Sequence, residues 1–583
     1  MGTISDKLMR IINTKEDIRQ ALISKGYDVP TSIPFKEYAK MISDLPCRVD
    51  SFPDIEGIVA RYSALGLTNE QMAENPVWKD LTGNGHDLQM KNFAWKGMSG
   101  VGGYEMNFNL WRNNVSGIPD ISMSTTTTSV SVSVGNSTYN NNLIYIHISN
   151  WDINKNHWLK VTSTYEDGDL AFIFYNDSNT KKIGLPANGY VNILAYPEFK
   201  GSYMYISTIS NKQGSFTIEQ LPLYPGALVF DGVDDYGVCD NFPILTKEKG
   251  YTVVALRQWI TRGEIAQGLV SNVKNWLKDG AFLLEYRNIQ AEHLNKPISF
   301  GAIGSEMDLP HILTYQTSKS YNGVSITTGN FEGTDVLHVG KLAPTNVGTC
   351  INAAIWELVF LDHDATEEEL TKIKDYFVKT YPWLFPDQAW TVTGKTNEDE
   401  DRATIANITG NGNDLILSNF GFAEGSGYNE EGEYAGYLVT DGVDDKIVSS
   451  SFGMGKDFTI VGDWKFIDNK KSGTGLVKGS SFYIYNTLIG LDLYINSGSV
   501  KNSLDGIKSI NAACSDGRAY DRNWNEILAN TGNVVGSGGI LEVSSSGGRF
   551  DRIAFKNLAI YPRILSKDDC IKAYNYLQTL KSK

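Results

Sequence analysis

The spacing of apolar residues changes once along the chain, near residue 50. Before that point Ile4, Leu8, Ile11 and Ile12 recur on one helical face. Thr14 and Asp17 form a short capping pattern, Ile18, Ala21 and Leu22 continue it, and Gly26 can end that helix. Pro34 can open a third helix, with Phe35, Tyr38, Ala39 and Ile42 at i, i+3, i+4, i+7, closed by Pro46. Three short helices in 46 residues bury too little to stand alone. They are expected to pack on a partner chain, a copy of themselves or the next domain.

Beyond residue 51 the period drops to that of strands, and three motif groups recur in the same order. TGNGHDLQMKNFAW (82–95) returns as TGNGNDLILSNFGF (409–422), identical at eight of fourteen positions. ALVFDGVDDYGV (227–238) returns as YLVTDGVDDKIV (437–448), with DGVDD intact. IWELVFLDHDATEEELTKIKDYF (355–377) returns as FKNLAIYPRILSKDDCIKAYNYL (555–577), each a strand followed by a helix capped by Thr366 with Glu369 or Ser566 with Asp569. Ordered repetition of this kind predicts two copies of one domain. In the first copy 135 residues separate Trp95 from Asp231; in the second, 18 separate Phe422 from Asp441. The excess, about 103–225, carries strand patterns at 129–134, 143–148, 170–175, 191–196, 202–207 and 215–221. It reads as a small sandwich inserted at an exposed loop. The expected plan is a helical attachment segment (1–50), a first domain (51–386) with its insertion, and a second domain (387–583).

Composition narrows the partners. A formal charge of -15 opposes non-specific nucleic-acid binding. No apolar run is long enough to cross a membrane, and the N-terminus lacks the series of a secretory signal. Synthesis in a cytosol is expected. Cys47, Cys239, Cys350, Cys514 and Cys570 are dispersed without a C-x-x-C pair, so they read as reduced packing residues.

The TGNGxDL…NF run, FDGVDDY, and the terminal strand with Tyr561–Pro562–Arg563–Ile564–Leu565–Ser566 resemble concanavalin A-like and laminin-G-like domains. The resemblance covers about 430 residues and implies a mainly β fold of two jelly-roll sandwiches, each of two antiparallel sheets face to face. The helical start resembles that of many phage tail and baseplate-associated proteins. That likeness implies a virion component: a tail-fibre, baseplate or head-fibre protein, homo-oligomeric, docked to other virion proteins through residues 1–46.

Several residues could carry binding chemistry. Asp231, Asp234 and Asp235, and Asp441, Asp444 and Asp445, form two carboxylate clusters. Calcium takes several oxygen ligands at flexible spacing and is the candidate cation; the plainer reading is that these side chains brace their own turns. Asn84, Asp87, Asn411 and Asp414 could contact a sugar or hold their Gly-rich loops as Asx turns. Trp259, Trp276, Trp464 and Trp524, and the stretch around Tyr483, Tyr485 and Tyr494, could stack on sugar rings or fill the core. The seven histidines show no metal-hydrolase spacing. There is no G-x-S-x-G elbow, no P-loop and no strand with Glu-x-Asp-x-x-Glu. The expectation is therefore a non-enzymatic virion protein that presents lectin-like domains to host-surface glycan. The alternatives are a purely structural subunit contacting other virion proteins and, less favoured, a polysaccharide depolymerase.

Overall fold

The computed structural model describes most of residues 52–582. Residues 1–51, and further segments of which 148–156, 194–202, 273–282, 303–310, 326–333, 342–349, 496–503 and 529–538 are the longest, lie outside the described residues. The three helices expected over 1–46 fall there. The chain divides into two compact units, Met1–Asp54 and Ile55–Lys583, and the second holds the sandwiches.

The long strand Asn352–Leu361 organises the first sandwich. Its sequence, NAAIWELVFL, is nearly all apolar because it is covered on both faces, and nine of its ten residues are buried. Along one edge it pairs with Thr252–Trp259. Along the other it pairs first with Leu228–Asp231 and then with Ile58–Ser63. His311–Gln316 and Gly100–Val101 complete this sheet. The facing sheet runs in the order 77–78, 88–91, 236–239, 337–339, 267–271, 283–287, 291–296, 299–302. Between the two lie Tyr62, Trp78, Leu88, Phe230, Val253, Trp259, Leu269, Ile355, Leu358 and Phe360.

The second copy repeats this topology. Ile553–Tyr561 pairs with Thr459–Phe466 on one side and with Tyr437–Val439 and Gln388–Thr391 on the other. Its facing sheet runs 404–405, 415–418, 446–452, 539–543, 474–478, 482–486, 490–495, 504–505. Even the irregularity is shared: the register shifts between Leu256 and Arg257 in one copy and between Asp463 and Trp464 in the other. A β-bulge at the same place in the same strand pair is a feature of the domain, not a local accident.

Helix α1 (Asn69–Glu74) closes one corner with a Thr68–Gln71 capping box. Helix α2 (Glu367–Thr380) carries the expected Thr366–Glu369 box. Helix α3 (Lys567–Gln578) starts on Ser566, whose hydroxyl accepts from the Asp569 N–H.

The insertion leaves the first sandwich after Gly103 and returns at Leu223. Leu223 N donates to Gly103 O (3.0 Å) and Tyr224 N to Gly102 O (2.8 Å), so its two ends are held side by side. Between them stand two five-stranded sheets: 180–184, 170–175, 203–208, 142–147, 112–113, and 188–193, 157–163, 214–220, 129–134, 121–125. Phe108, Trp111, Val132, Leu159, Phe172, Met204 and Ile218 fill the space between these sheets. Among the described residues these sheets hold ten strands where six were expected. The strands missed include Thr180–Gly184, whose TKKIG sequence is that of a lysine-guarded edge.

Candidate ligand-binding loops

The two repeated motifs sit at opposite ends of one strand pair. Leu88–Lys91 pairs with Tyr236–Cys239, Tyr236 opposite Lys91. The Gly-rich loop precedes Leu88, and Asn241 Nδ2 reaches it at Gly85 O (3.4 Å). The DGVDD turn lies at the other end, where Asn92 Nδ2 donates to Asp234 O (3.0 Å). The second copy is built alike, with Asn419 Nδ2 on Asp444 O (3.0 Å). The motifs therefore form two loops per sandwich, not one combined site.

Each Gly-rich loop is a braced turn. Gly83 and Gly85 have φ of +82° and +83°, and an added Cβ would meet nothing within 4 Å. Backbone conformation, not crowding, is what requires glycine there. Exposed Asn84 is tied down: its Nδ2 donates to Val59 O (3.0 Å). Asn411 does the same toward Asp387 O (2.7 Å). Asp87 Oδ1 accepts from Asp80 N (2.9 Å), and Asp414 Oδ1 from Asn407 N (2.8 Å). Asp87 also meets Lys79. Slight burial acts to raise its pKa, but the bonds from Lys79 and Asp80 hold it below the usual carboxylate value.

Each DGVDD turn folds around its last aspartate. Asp235 is fully buried; its Oδ1 accepts from Ser99 Oγ (3.0 Å) and its Oδ2 from Asp231 N (3.1 Å). Asp231 Oδ1 accepts from Val233 N (2.8 Å). Asp445 repeats the pattern with Ser426 Oγ (3.1 Å) and Asp441 N (2.8 Å), and Val443 N donates to Asp441 Oδ1 (2.7 Å). Burial first, then the neighbouring aspartates, push Asp235 up to about 7 and Asp445 up to about 6, against the pull of those hydrogen bonds.

In each cluster three carboxylates can place an oxygen within 4.8 Å of the others, close enough to hold an ion. Calcium takes six to eight oxygens. Here both oxygens of Asp235 and one of Asp231 already serve the turn. The donor set fits a turn brace better than a calcium cage.

The aromatic candidates are placed differently. Trp259, Trp464 and Trp524 are each 1% exposed, so none presents a ring to a ligand. Trp464 belongs to the core between the sheets of the second sandwich. Trp524 packs edge-on to Tyr574 of α3 (5.7 Å) and against Trp158 of the insertion (6.4 Å). Their offer as sugar-stacking residues is corrected by this burial: a large apolar ring on a covered sheet is core. Trp276 lies outside the described residues. Tyr483 stands opposite Tyr494 on paired strands, with Tyr485 two residues along.

A cleft of about 440 Å³ between the sandwiches was not foreseen. Val378 and Pro382 form one wall, Arg563, Ile564 and Leu565 the other. Arg563 Nη1 spans it to Val378 O (3.0 Å). The Tyr561–Ser566 run marked that second wall, but no local signal pairs it with residues 378–382.

No protein-family model matches the chain, and no curated protein matches it. Solved structures show a likeness. Trypanosoma rangeli sialidase in complex with sialic acid is 9% identical, covering 79% of this chain and 85% of that chain at a TM-score of 0.22. Botulinum neurotoxin serotype D binding domain is 10% identical, covering 60% and 89% at a TM-score of 0.23. Both are sandwich or jelly-roll-like β proteins, and at these TM-scores the likeness carries no functional argument. The expectation that the chain is non-enzymatic is withdrawn: the structures matched include sialidases, which are enzymes, beside non-enzymatic toxin binding domains, and a likeness this weak decides neither way. A β-sandwich hosts catalysis and recognition alike. The missing Glu-x-Asp-x-x-Glu strand therefore excluded one chemistry, not catalysis as such.

Proposed function

We propose that the chain is a glycan-binding adhesion component of a bacteriophage particle, made in the host cytoplasm and incorporated into the virion. Its sandwiches present loops to host-surface glycan, and residues 1–46 dock it to other virion proteins or to further copies of itself. The observation that carries the binding reading is the duplication of rigid loops. Asn84 and Asn411, and Asp235 and Asp445, hold exposed turns in the same way on two sandwiches. A pre-braced loop loses little freedom on binding, and repeated weak sites gain strength through multiplicity. The phage assignment is supported by the resemblance of the N-terminal pattern. Among the described residues no helix is long and apolar enough to cross a membrane.

The test is glycan-array binding of the full-length chain against host capsular and cell-wall polysaccharides. Weak single-site binding that strengthens on multivalent display is expected; no binding at millimolar ligand would remove the adhesion reading. A second reading, a purely structural virion subunit, is favoured by Val233 and Val443. These sit at the tips of the two DGVDD turns, 69% and 67% exposed, and would suit protein contacts. Locating the chain on the intact particle by immuno-electron microscopy separates the two: exposure at a tip supports adhesion, and enclosure among other subunits supports the structural role.

A further inference from the structure

The inserted sandwich is docked through one outer face, and its other outer face is partly exposed, from Tyr203 at 43% to Ile173 at 9%. On the docked side Trp158 projects from strand His157–Ser163 onto Tyr574 of α3, ring centroids 5.1 Å apart. The other sheet turns its outer face away from that contact. Alternation along its strands puts Phe172, Phe174, Met204 and Ile206 into the core and Tyr203 and Tyr205 on the outer face. Tyr145, from the adjacent strand, joins them. The three rings pack together, with centroids 5.6 Å (Tyr145–Tyr203), 5.8 Å (Tyr145–Tyr205) and 6.3 Å (Tyr203–Tyr205) apart. Tyr203 is 43% exposed.

The register places charge on either side of these rings. Lys182 stands opposite Ile173, Ile173 opposite Tyr205, Tyr205 opposite Tyr145, and Tyr145 opposite Arg112. One row therefore crosses all five strands as cation, aliphatic, tyrosine, tyrosine, cation, about 19 Å long at the usual strand spacing. Arg112 and Lys182 are both exposed. The five strands (RN, NLIYIH, LAFIFY, TKKIG and YMYIST) contain no acidic residue, in a chain of net charge -15.

We infer that this face binds an acidic polysaccharide laid across the strands, its ring faces on Tyr145, Tyr203 and Tyr205 and its carboxylates toward Arg112 and Lys182. A tyrosine offers an apolar ring with a hydroxyl at its edge, which suits a sugar's C–H face and its rim of hydroxyls. A guanidinium matches a carboxylate in bidentate geometry. The local cationic row gives charge complementarity to an anionic chain, which the rest of the protein would repel. Edge lysines also guard strands from pairing, but that role accounts for neither the three clustered rings nor the arginine opposite Tyr145.

This inference rests on the glycan-binding reading and adds the ligand's charge and the place it binds. The test titrates the full-length chain with oligogalacturonate, hyaluronan and polysialic acid fragments, and with neutral malto- and cello-oligosaccharides. Wild type, Tyr203→Ala, Arg112→Gln and Lys182→Glu are compared, and unchanged unfolding midpoints certify their folds. The expected result is binding of at least one acidic glycan, weakened about tenfold or more in each variant and lost at high salt. Acidic glycan bound equally by all variants, or only neutral glycan bound, overturns this site and leaves the broader reading standing. No glycan bound at all overturns both. A change in oligomer mass in Tyr203→Ala, with glycan binding intact, makes the face a chain–chain contact and also overturns the proposal.

Discussion

Where the first sandwich places Glu357 on its central strand, the second places Asn557, and the surroundings change with it. Glu357 is fully buried and accepts from Arg61 Nε (3.2 Å), Arg61 Nη2 (3.2 Å) and Tyr381 OH (2.8 Å). Arg61 in turn donates to Tyr376 OH of α2 (2.7 Å). Burial drives the Glu357 pKa upward and Arg61 opposes it. Asn557 does its work without charge: Oδ1 accepts from Asp463 N (3.1 Å) and Nδ2 donates to Leu577 O of α3 (3.4 Å). The two copies thus fasten a helix to the same strand position by different chemistry. They keep the loop braces at the ends of their strands alike. Duplicated domains retain what the backbone geometry requires and diverge where a neighbouring element offers a new partner.

That contrast can be broken most forcefully at the central strand. Glu357→Ala removes the counter-ion of Arg61 and should cost about 3–5 kcal/mol. Asn557→Ala loses neutral hydrogen bonds and should cost about 1–3 kcal/mol. Urea midpoints of the two variants measure the difference, and equal losses would erase the distinction between the helix anchors.

The buried aspartates sharpen the likeness through pH. Their folded pKa values, about 7 for Asp235 and about 6 for Asp445, lie above the unfolded carboxylate value. The folded chain therefore keeps these protons longer. Their contribution to stability is full below about pH 4 and is lost as the pH rises toward 7 for Asp235 and toward 6 for Asp445. Asp235→Asn and Asp445→Asn should each flatten the stability profile in that window, by about 1.4 kcal/mol per unit of upward shift. Denaturant midpoints recorded from pH 4 to 8 test this, and parallel profiles for wild type and variants would contradict it.

Smaller effects are expected at the braces themselves. Asp235→Ala and Asp445→Ala strip an acceptor from a backbone N–H and a serine, and should each cost about 1–3 kcal/mol. Asn84→Ala and Asn411→Ala act on exposed turns and should each cost about 0.5–1.5 kcal/mol. Thermal unfolding of the matched pairs is the check: the two members of each pair should agree, and a twofold disagreement would mean the loops are not equivalent.

Much of the fold was legible because repetition is a long-range signal that single residues are not. TGNG, DGVDD and the strand-plus-capped-helix pattern recur in order, and the turns they specify depend on local backbone demands at Gly83, Asn84 and Asp235. The candidate site was less legible. Whether a Trp is core or surface depends on which face of which sheet is covered, and for Trp524 the cover is α3 and the insertion. The row from Lys182 to Arg112 crosses five strands that are scattered along the insertion, and strand register sets it. Strand alternation sets Tyr203 and Tyr205 on one face once the strand is known; nothing local sets Arg112 in line with them. Thr180–Gly184 was missed because an edge strand rich in lysine lacks the apolar alternation of a central one.

The likeness of the two sandwiches is tested most directly by amide hydrogen exchange at Asp231 and Asp441. Each N–H donates to a buried carboxylate four residues on. Both amides should be protected in the wild type, with Asp235→Ala releasing only Asp231 and Asp445→Ala only Asp441. Free exchange at either position in the intact protein, or release of both by one substitution, would mean that the two turns are not built alike.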